Sequence, residues 1–240
     1  MTPLRSVSYI GACVVLVACG PRSPAPLVPV PLAPVARDSA VAWTRATLPP
    51  TPSSIRFRWR YQDERVKYAG RGSARIASPD SMRFDYAGPL GLGSGAAVVI
   101  GDSVLWADPE KNFRSLVPAI PMLWAALGMI RPPAEDASVQ GAELADPAGT
   151  RTRLVWRFAQ VEDTLDYLAT DSAGRTVLLE AEWRRRGERV ARSRTSLDAG
   201  ERPASARVDF PSGGGARFEL TVVAIDTAQV FAPALWRSRR

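Results

Sequence analysis

The residues able to do chemistry are few, and an absence narrows the field first. The chain has no histidine. That excludes Ser-His-Asp and Cys-His catalysis, and any zinc site built on imidazole. Lysine occurs only at Lys67 and Lys111, so a Ser-Lys pair would have to use one of them. The glycine-rich stretch Gly91–Gly95 has the spacing of neither a nucleophile elbow nor a phosphate loop. Paired carboxylates could serve glycoside chemistry, and Glu143, Glu162, Asp163, Glu180 and Glu182 stand in suggestive places. Glu180 and Glu182, however, share one strand among arginines, which is the pattern of a cross-strand ion ladder. No constellation argues for catalysis. A non-enzymatic protein is expected, with no cofactor and no metal site.

One thiol remains to be explained. The start MTPLRSVSYIGACVVLVACG has a positive Arg5, then an apolar run over Tyr9–Ala18 that stops at Cys19. A short apolar run after a positive start reads as an export signal. It is about half the length of a bilayer-crossing helix. The prolines that follow, from Pro21 to Pro34, allow no helix to continue. The sequence Leu16-Val17-Ala18-Cys19-Gly20 resembles the lipobox of bacterial lipoproteins, in which the cysteine becomes the first mature residue and carries lipid. Cys13 would leave with the signal, so Cys19 would be the sole mature cysteine, suited to anchoring and not to stapling. Acyl chains at roughly 0.8 kcal/mol per buried methylene hold a protein on a membrane without a spanning helix. In such lipoproteins an Asp after the cysteine tends to retain the protein at the inner membrane. Gly20 therefore implies the periplasmic face of an outer membrane.

The formal net charge is +7, carried almost wholly by arginine. A basic balance can signal nucleic acid, but an exported, anchored chain points instead to anionic lipid headgroups or surface phosphates, and no nucleic-acid partner is expected. The densest run, Arg184-Arg185-Arg186-Gly187-Glu188-Arg189, reads as the solvated tip of a hairpin.

The elements that must position these residues follow from periodicity. Residues 20–35 are proline-rich and predict an extended tether on the order of 50 Å long. Asp38 or Ser39 could cap a short helix over 38–48, stopped by Pro49-Pro50. In Ile55, Phe57, Trp59 and Tyr61, alternating with Arg56, Arg58 and Arg60, the period becomes two, a strand with one greasy and one charged face. Further strands are predicted at 66–77, 81–87, 95–101, 103–108, 151–159, 163–170, 175–183, 189–197, 204–210 and 216–225, separated by turn residues. Between the two groups lies Pro118–Ile130, apolar nearly all round, with prolines suited to a helix start and Gly128 to its C-terminal cap. A helix of that character must be covered. About ten or eleven strands and two short helices predict a mainly β (α+β) fold: one strongly curved antiparallel sheet, a half-barrel covered by the helices.

This element order resembles the LolA/LolB-like lipoproteins. The local likeness is greatest over Ser78–Gly101, SPDSMRFDYAGPLGLGSGAAVVIG, and in the proline-bearing segment Pro118–Gly128. The ending Val230–Trp236 departs from LolB. The resemblance implies an apolar cavity that takes up acyl chains of lipoproteins, a periplasmic carrier as partner, and an exposed leucine that meets the membrane, matched by Leu90 with Leu92 next. Candidate cavity residues are Phe57, Trp59, Phe84, Tyr86, Trp106, Met122, Leu123, Trp124, Leu127, Trp156, Phe158 and Trp183. The expected organisation is a signal peptide at 1–18, the lipidated Cys19 with its tether to 37, and a LolA/LolB-like domain over 38–240. The expected role is lipoprotein reception or insertion. The alternative is an envelope binding or scaffold module that holds no lipid.

Overall fold

The structure is a computed structural model of the chain. It describes residues 25–28, 31–89, 93–111, 113, 119–145, 149–211, 215–227 and 230–237. Cys19, Leu90 and Leu92 lie outside the described residues.

Thirteen strands form one antiparallel sheet. In chain order they are β1 (Ala33–Pro34), β2 (Ser53–Gln62), β3 (Lys67–Ala77), β4 (Ser81–Ala87), β5 (Gly95–Ile100), β6 (Ser103–Asp108), β7 (Ser138–Ala145), β8 (Arg151–Ala159), β9 (Asp163–Ser172), β10 (Arg175–Arg185), β11 (Glu188–Leu197), β12 (Pro203–Phe210) and β13 (Ala216–Asp226). Their order across the sheet is β1-β7-β8-β9-β10-β11-β12-β13-β2-β3-β4-β5-β6. Among the described residues, two helices complete from end to end accompany them, α1 (Arg37–Ala46) and α2 (Ile120–Ala126). The chain is therefore mainly β with few helices, as its turn spacing requires.

Three expectations need correction. Two strands escaped the periodicity. β7 carries Gly141 amid a mixed sequence, and β1 is a two-residue strand inside the proline-rich segment, pairing Ala33 with Gly141 and Pro34 with Gln140. Proline is tolerated there because β1 is an edge strand. Second, the open sheet, with β1 and β6 as its two edges, has more strands than the ten or eleven expected. Third, neither Asp38 nor Ser39 caps α1. Its N-cap is Ala36, without a side-chain hydrogen bond. The helix is held instead by Arg37, whose guanidinium donates to the carbonyl oxygens of Pro133 (3.1 Å) and Ala137 (3.3 Å).

β2 has the alternation its sequence dictates. Ile55, Phe57, Trp59 and Tyr61 are buried, and Arg56, Arg58 and Arg60 are exposed. The same face of β4, β8–β10, β12 and β13 supplies Phe84, Tyr86, Trp156, Tyr167, Ala181, Val208, Phe218 and Leu220 to one continuous core. The long connection from β6 to β7 carries α2 over that face. Met122, Leu123, Trp124, Ala125 and Ala126 are all buried. Each large apolar side chain so covered contributes roughly 1.5–3 kcal/mol. α2 is shorter than the predicted 118–130 because Gly128, at φ +79°, turns the chain. The Met129 N–H reaches Trp124 O and the Gly128 N–H reaches Ala125 O, both at 3.0 Å, a Schellman cap that closes the orphan carbonyls.

Candidate functional site

The inner face carries most of the residues singled out from the sequence. Phe57, Trp59, Phe84, Tyr86, Met122, Leu123, Trp124, Leu127, Trp156 and Phe158 belong to one buried cluster, and Trp183 packs against it. Trp106 does not join them. It lies on the opposite, outer face, with the Arg83 guanidinium 5.3 Å from its ring centroid and its indole N–H donating to Trp236 O at 3.0 Å. Strand alternation explains the difference. Trp106 is paired with Val98, which is paired with Arg83, and all three share one side of the sheet.

α2 is fixed to the sheet by two polar bonds. The Thr195 hydroxyl on β11 donates to Ala125 O at 2.8 Å, and the Trp124 indole N–H donates to Gly101 O, in the β5–β6 turn, at 3.0 Å. Arg131 lies over the Trp124 ring, 5.4 Å from its centroid. On the other flank α1 lays Trp43 on Trp156, with centroids 5.5 Å apart and planes at 24°, and sets its edge against Tyr167. Trp156 on β8 and Tyr167 on β9 are direct cross-strand partners. Both are buried, and neither Trp156 Nε1 nor Tyr167 Oη has a hydrogen-bond partner among the described residues. Burial raises the Tyr167 pKa above its ordinary value, so the phenol stays neutral and remains a donor. Buried donors without acceptors are rare and need a reason. Sequence reading missed Tyr167 and Trp43 as site residues. The signal for Tyr167 was its alternation with Leu165 and Ala169. For Trp43 no spacing gave one.

Four of the five suggestive carboxylates, Glu162, Asp163, Glu180 and Glu182, are ion-paired, and Glu143 is exposed on β7. Arg192 donates to Glu180 at 2.9 Å, and Glu182 accepts from Arg184 at 2.6 Å with Arg189 at 3.6 Å. Asp163 accepts from Arg185, whose hydrogen bond lowers its pKa, and from the Trp183 indole. Glu162 pairs with Arg186. The basic run forms the predicted hairpin tip, with Arg186 and Gly187 at φ +52° and +81°. Positive φ at both central residues is the type I′ signature. Among the described residues, no cluster of His, Cys, Asp and Glu could hold a metal.

The outer face is covered at two places. Leu27 and Val28 pack on Val155 and Leu168, and the Leu27 N–H donates to Glu182 Oε1 at 3.2 Å. Leu27 and Val28, in the segment predicted as an extended tether, are thus docked on the sheet. At the other end Pro233–Trp236 forms a 3-10 turn, and Arg83 donates to Leu235 O at 2.6 Å.

No family model and no curated protein matches the sequence. Solved structures do match. A LolA superfamily protein from Nitrosomonas europaea superposes with a TM-score of 0.59 at 11% identity, covering 85% of this chain and 98% of that one. The fold is LolA-like. A domain from Vibrio parahaemolyticus, described as an outer membrane lipoprotein-sorting protein, gives 0.52 at 9% identity over 83% and 97% of the two chains. A DUF1329 family protein from Desulfovibrio piger gives 0.51 at 8% identity over 84% and 95%. In this LolA-like fold, α2 and the ring stack of Trp43 and Trp156 fill the inner face. The larger open depressions on the described surface, of about 560 and 550 Å³, lie instead on the outer side of β2–β4 beside arginines.

Proposed function

We propose that this chain is an envelope lipoprotein, anchored through acylated Cys19, that holds an acyl chain between its sheet and α2. One observation carries the ligand: the donors of Trp156 and Tyr167, adjacent, buried and without acceptors. An ester or amide carbonyl at the head of an acyl chain supplies the acceptor they lack, while the surrounding aromatics take the chain. The space is occupied by Met122, Leu123 and Trp124 in the closed state. Two polar bonds hold α2, so its outward movement is the opening step.

Curvature of the sheet belongs to the same proposal. α2 has seven residues, about 10 Å. It packs on β10, β11 and β12. It also reaches the β5–β6 turn, six strands from β11 in the sheet order. At about 4.8 Å per strand a flat sheet would put these sites nearly 30 Å apart. Reception or sorting of lipoproteins at the periplasmic face of the outer membrane is the role we assign, in keeping with the neighbours' descriptions. Leu90 and Leu92 are proposed to meet the membrane, and a periplasmic carrier is the proposed supplier.

The second reading, a non-enzymatic scaffold that holds no lipid, is favoured by the filled inner face. Native mass spectrometry of the full chain from mild detergent separates the two. A covalent acyl increment at Cys19 together with non-covalent acyl species supports the carrier. A clean apo mass and no binding of a fluorescent fatty acid overturn it in favour of the scaffold. An unmodified Cys19 overturns the anchor.

A further inference from the structure

The outer face of β2 and β3 bears a charge arrangement that the acyl site does not use. Arg58 stands directly opposite Arg71 across the two strands, and Arg56 lies two residues along the same face. Like charges directly opposed across a sheet are destabilising. The other outward neighbours are neutral: Thr221 and Ala224 on β13, Ser73 on β3 and Ala87 on β4. None of the three arginines has an ion pair or side-chain hydrogen bond with any described residue. The carboxylates one diagonal step away are Glu219 and Asp226 on β13 and Asp85 on β4, the last taken by Arg75 and by Arg83 at 2.9 Å. Together Arg56, Arg58, Arg71, Ser73, Asp85 and Val223 border an open depression of about 560 Å³. Three guanidinium groups without a described partner around a hollow that also presents the Ser73 hydroxyl suit a phosphate group.

We infer that Arg56, Arg58 and Arg71 bind the phosphates of anionic phospholipid headgroups and hold this face against the membrane. The choice of lipid over free phosphate rests on the reading of Cys19 as the anchor. Cys19 is eight residues from Leu27, the first described residue buried on the sheet. Eight extended residues span at most about 29 Å. Leu27 is docked on this same outer face, at β8–β10. The acyl group therefore holds the chain at the membrane surface, where anionic headgroups are the abundant phosphates.

The test is co-sedimentation of the full chain with vesicles of phosphatidylcholine alone or with about one third phosphatidylglycerol. Wild-type and R56Q/R58Q/R71Q chains both carry Cys19→Ser, so that acylation contributes nothing and the common N-terminus cancels. Each basic residue near an anionic leaflet is worth roughly fivefold in partition, so the triple variant should lose on the order of 100-fold on anionic vesicles. It should lose nothing on phosphatidylcholine, and the difference should shrink in about 0.5 M salt. R56K/R58K/R71K should keep most of the binding, and R45Q, on α1, should keep all of it. Equal binding by wild type and triple variant overturns the inference, as does equal binding to both vesicle types. Release by inorganic phosphate where chloride of equal ionic strength has no effect overturns the lipid source and leaves a free-phosphate site. A wild-type chain found without acyl at Cys19 overturns the anchor and not the vesicle comparison.

Discussion

Trp124 on α2 donates its indole N–H to the carbonyl oxygen of Gly101, 3.0 Å away, in the turn between β5 and β6. This bond ties the helix over the inner face to the far flank of the sheet. Thr195 ties it to the near flank through Ala125 O. Closure of α2 thus depends on two donors, one at each side.

Removing either donor should loosen the helix without unfolding the sheet. Thr195→Val removes the hydroxyl donor, while Ala125 O keeps the Gly128 N–H, and should cost about 1 kcal/mol. Amide hydrogen exchange over 120–130 should accelerate while β2–β4 stays protected. If the lid reading holds, the same variant takes up a fluorescent fatty acid faster than wild type. An unchanged exchange rate at α2 would count against closure by these bonds.

Gly70 should tolerate no side chain. A Cβ there would overlap the Ala87 carbonyl oxygen of β4 and sit 2.7 Å from the Trp59 ring. Trp59 cannot yield easily, because its indole N–H donates to Arg71 O at 3.1 Å. Gly70→Ala should cost about 3 kcal/mol or more, since the obstacle is backbone. Thermal unfolding checks this, with Gly149→Ala a poor control because of its positive φ and Ala69→Ser, on the outer face of the same strand, a suitable one.

The docking of Leu27 should depend on Glu182. This carboxylate is fully buried, accepts the Leu27 N–H and faces Arg184 and Arg189. Glu182→Gln preserves shape but leaves two arginines without their counter-charge, and a loss of about 3 kcal/mol is expected. Proteolysis near residues 25–28 should become faster in the variant.

Acid should weaken the pairing of the start of β9 with the end of β10. Hydrogen bonding to Arg185 holds the Asp163 pKa below its ordinary value. A lowered folded-state pKa means that the native state binds fewer protons than the unfolded chain. Its contribution is therefore present above about pH 4 and is lost as pH falls through the folded value. Asp163→Asn should flatten that part of the curve of urea midpoint against pH between about 5 and 2. A wild-type slope retained in the variant would contradict the assignment.

Much of this protein is legible in the amino-acid order alone. Strict alternation in β2 separates Phe57 and Trp59 from Arg56 and Arg58, because successive side chains of a strand point to opposite faces. Positive φ at the Arg186-Gly187 tip and the turn at Gly128 likewise follow from local chemistry. The missing histidine and the placement of Cys19 were also plain in the sequence. The tertiary structure alone decided the rest. It put Trp106 on the outer face beside Arg83, laid the Leu27 segment on Glu182, and paired the orphan donors of Trp156 and Tyr167. It also brought Arg58 opposite Arg71. These are relations between strands far apart in the chain or set by register. Local propensity carries no information about them, since register is fixed only when a whole face is buried at once.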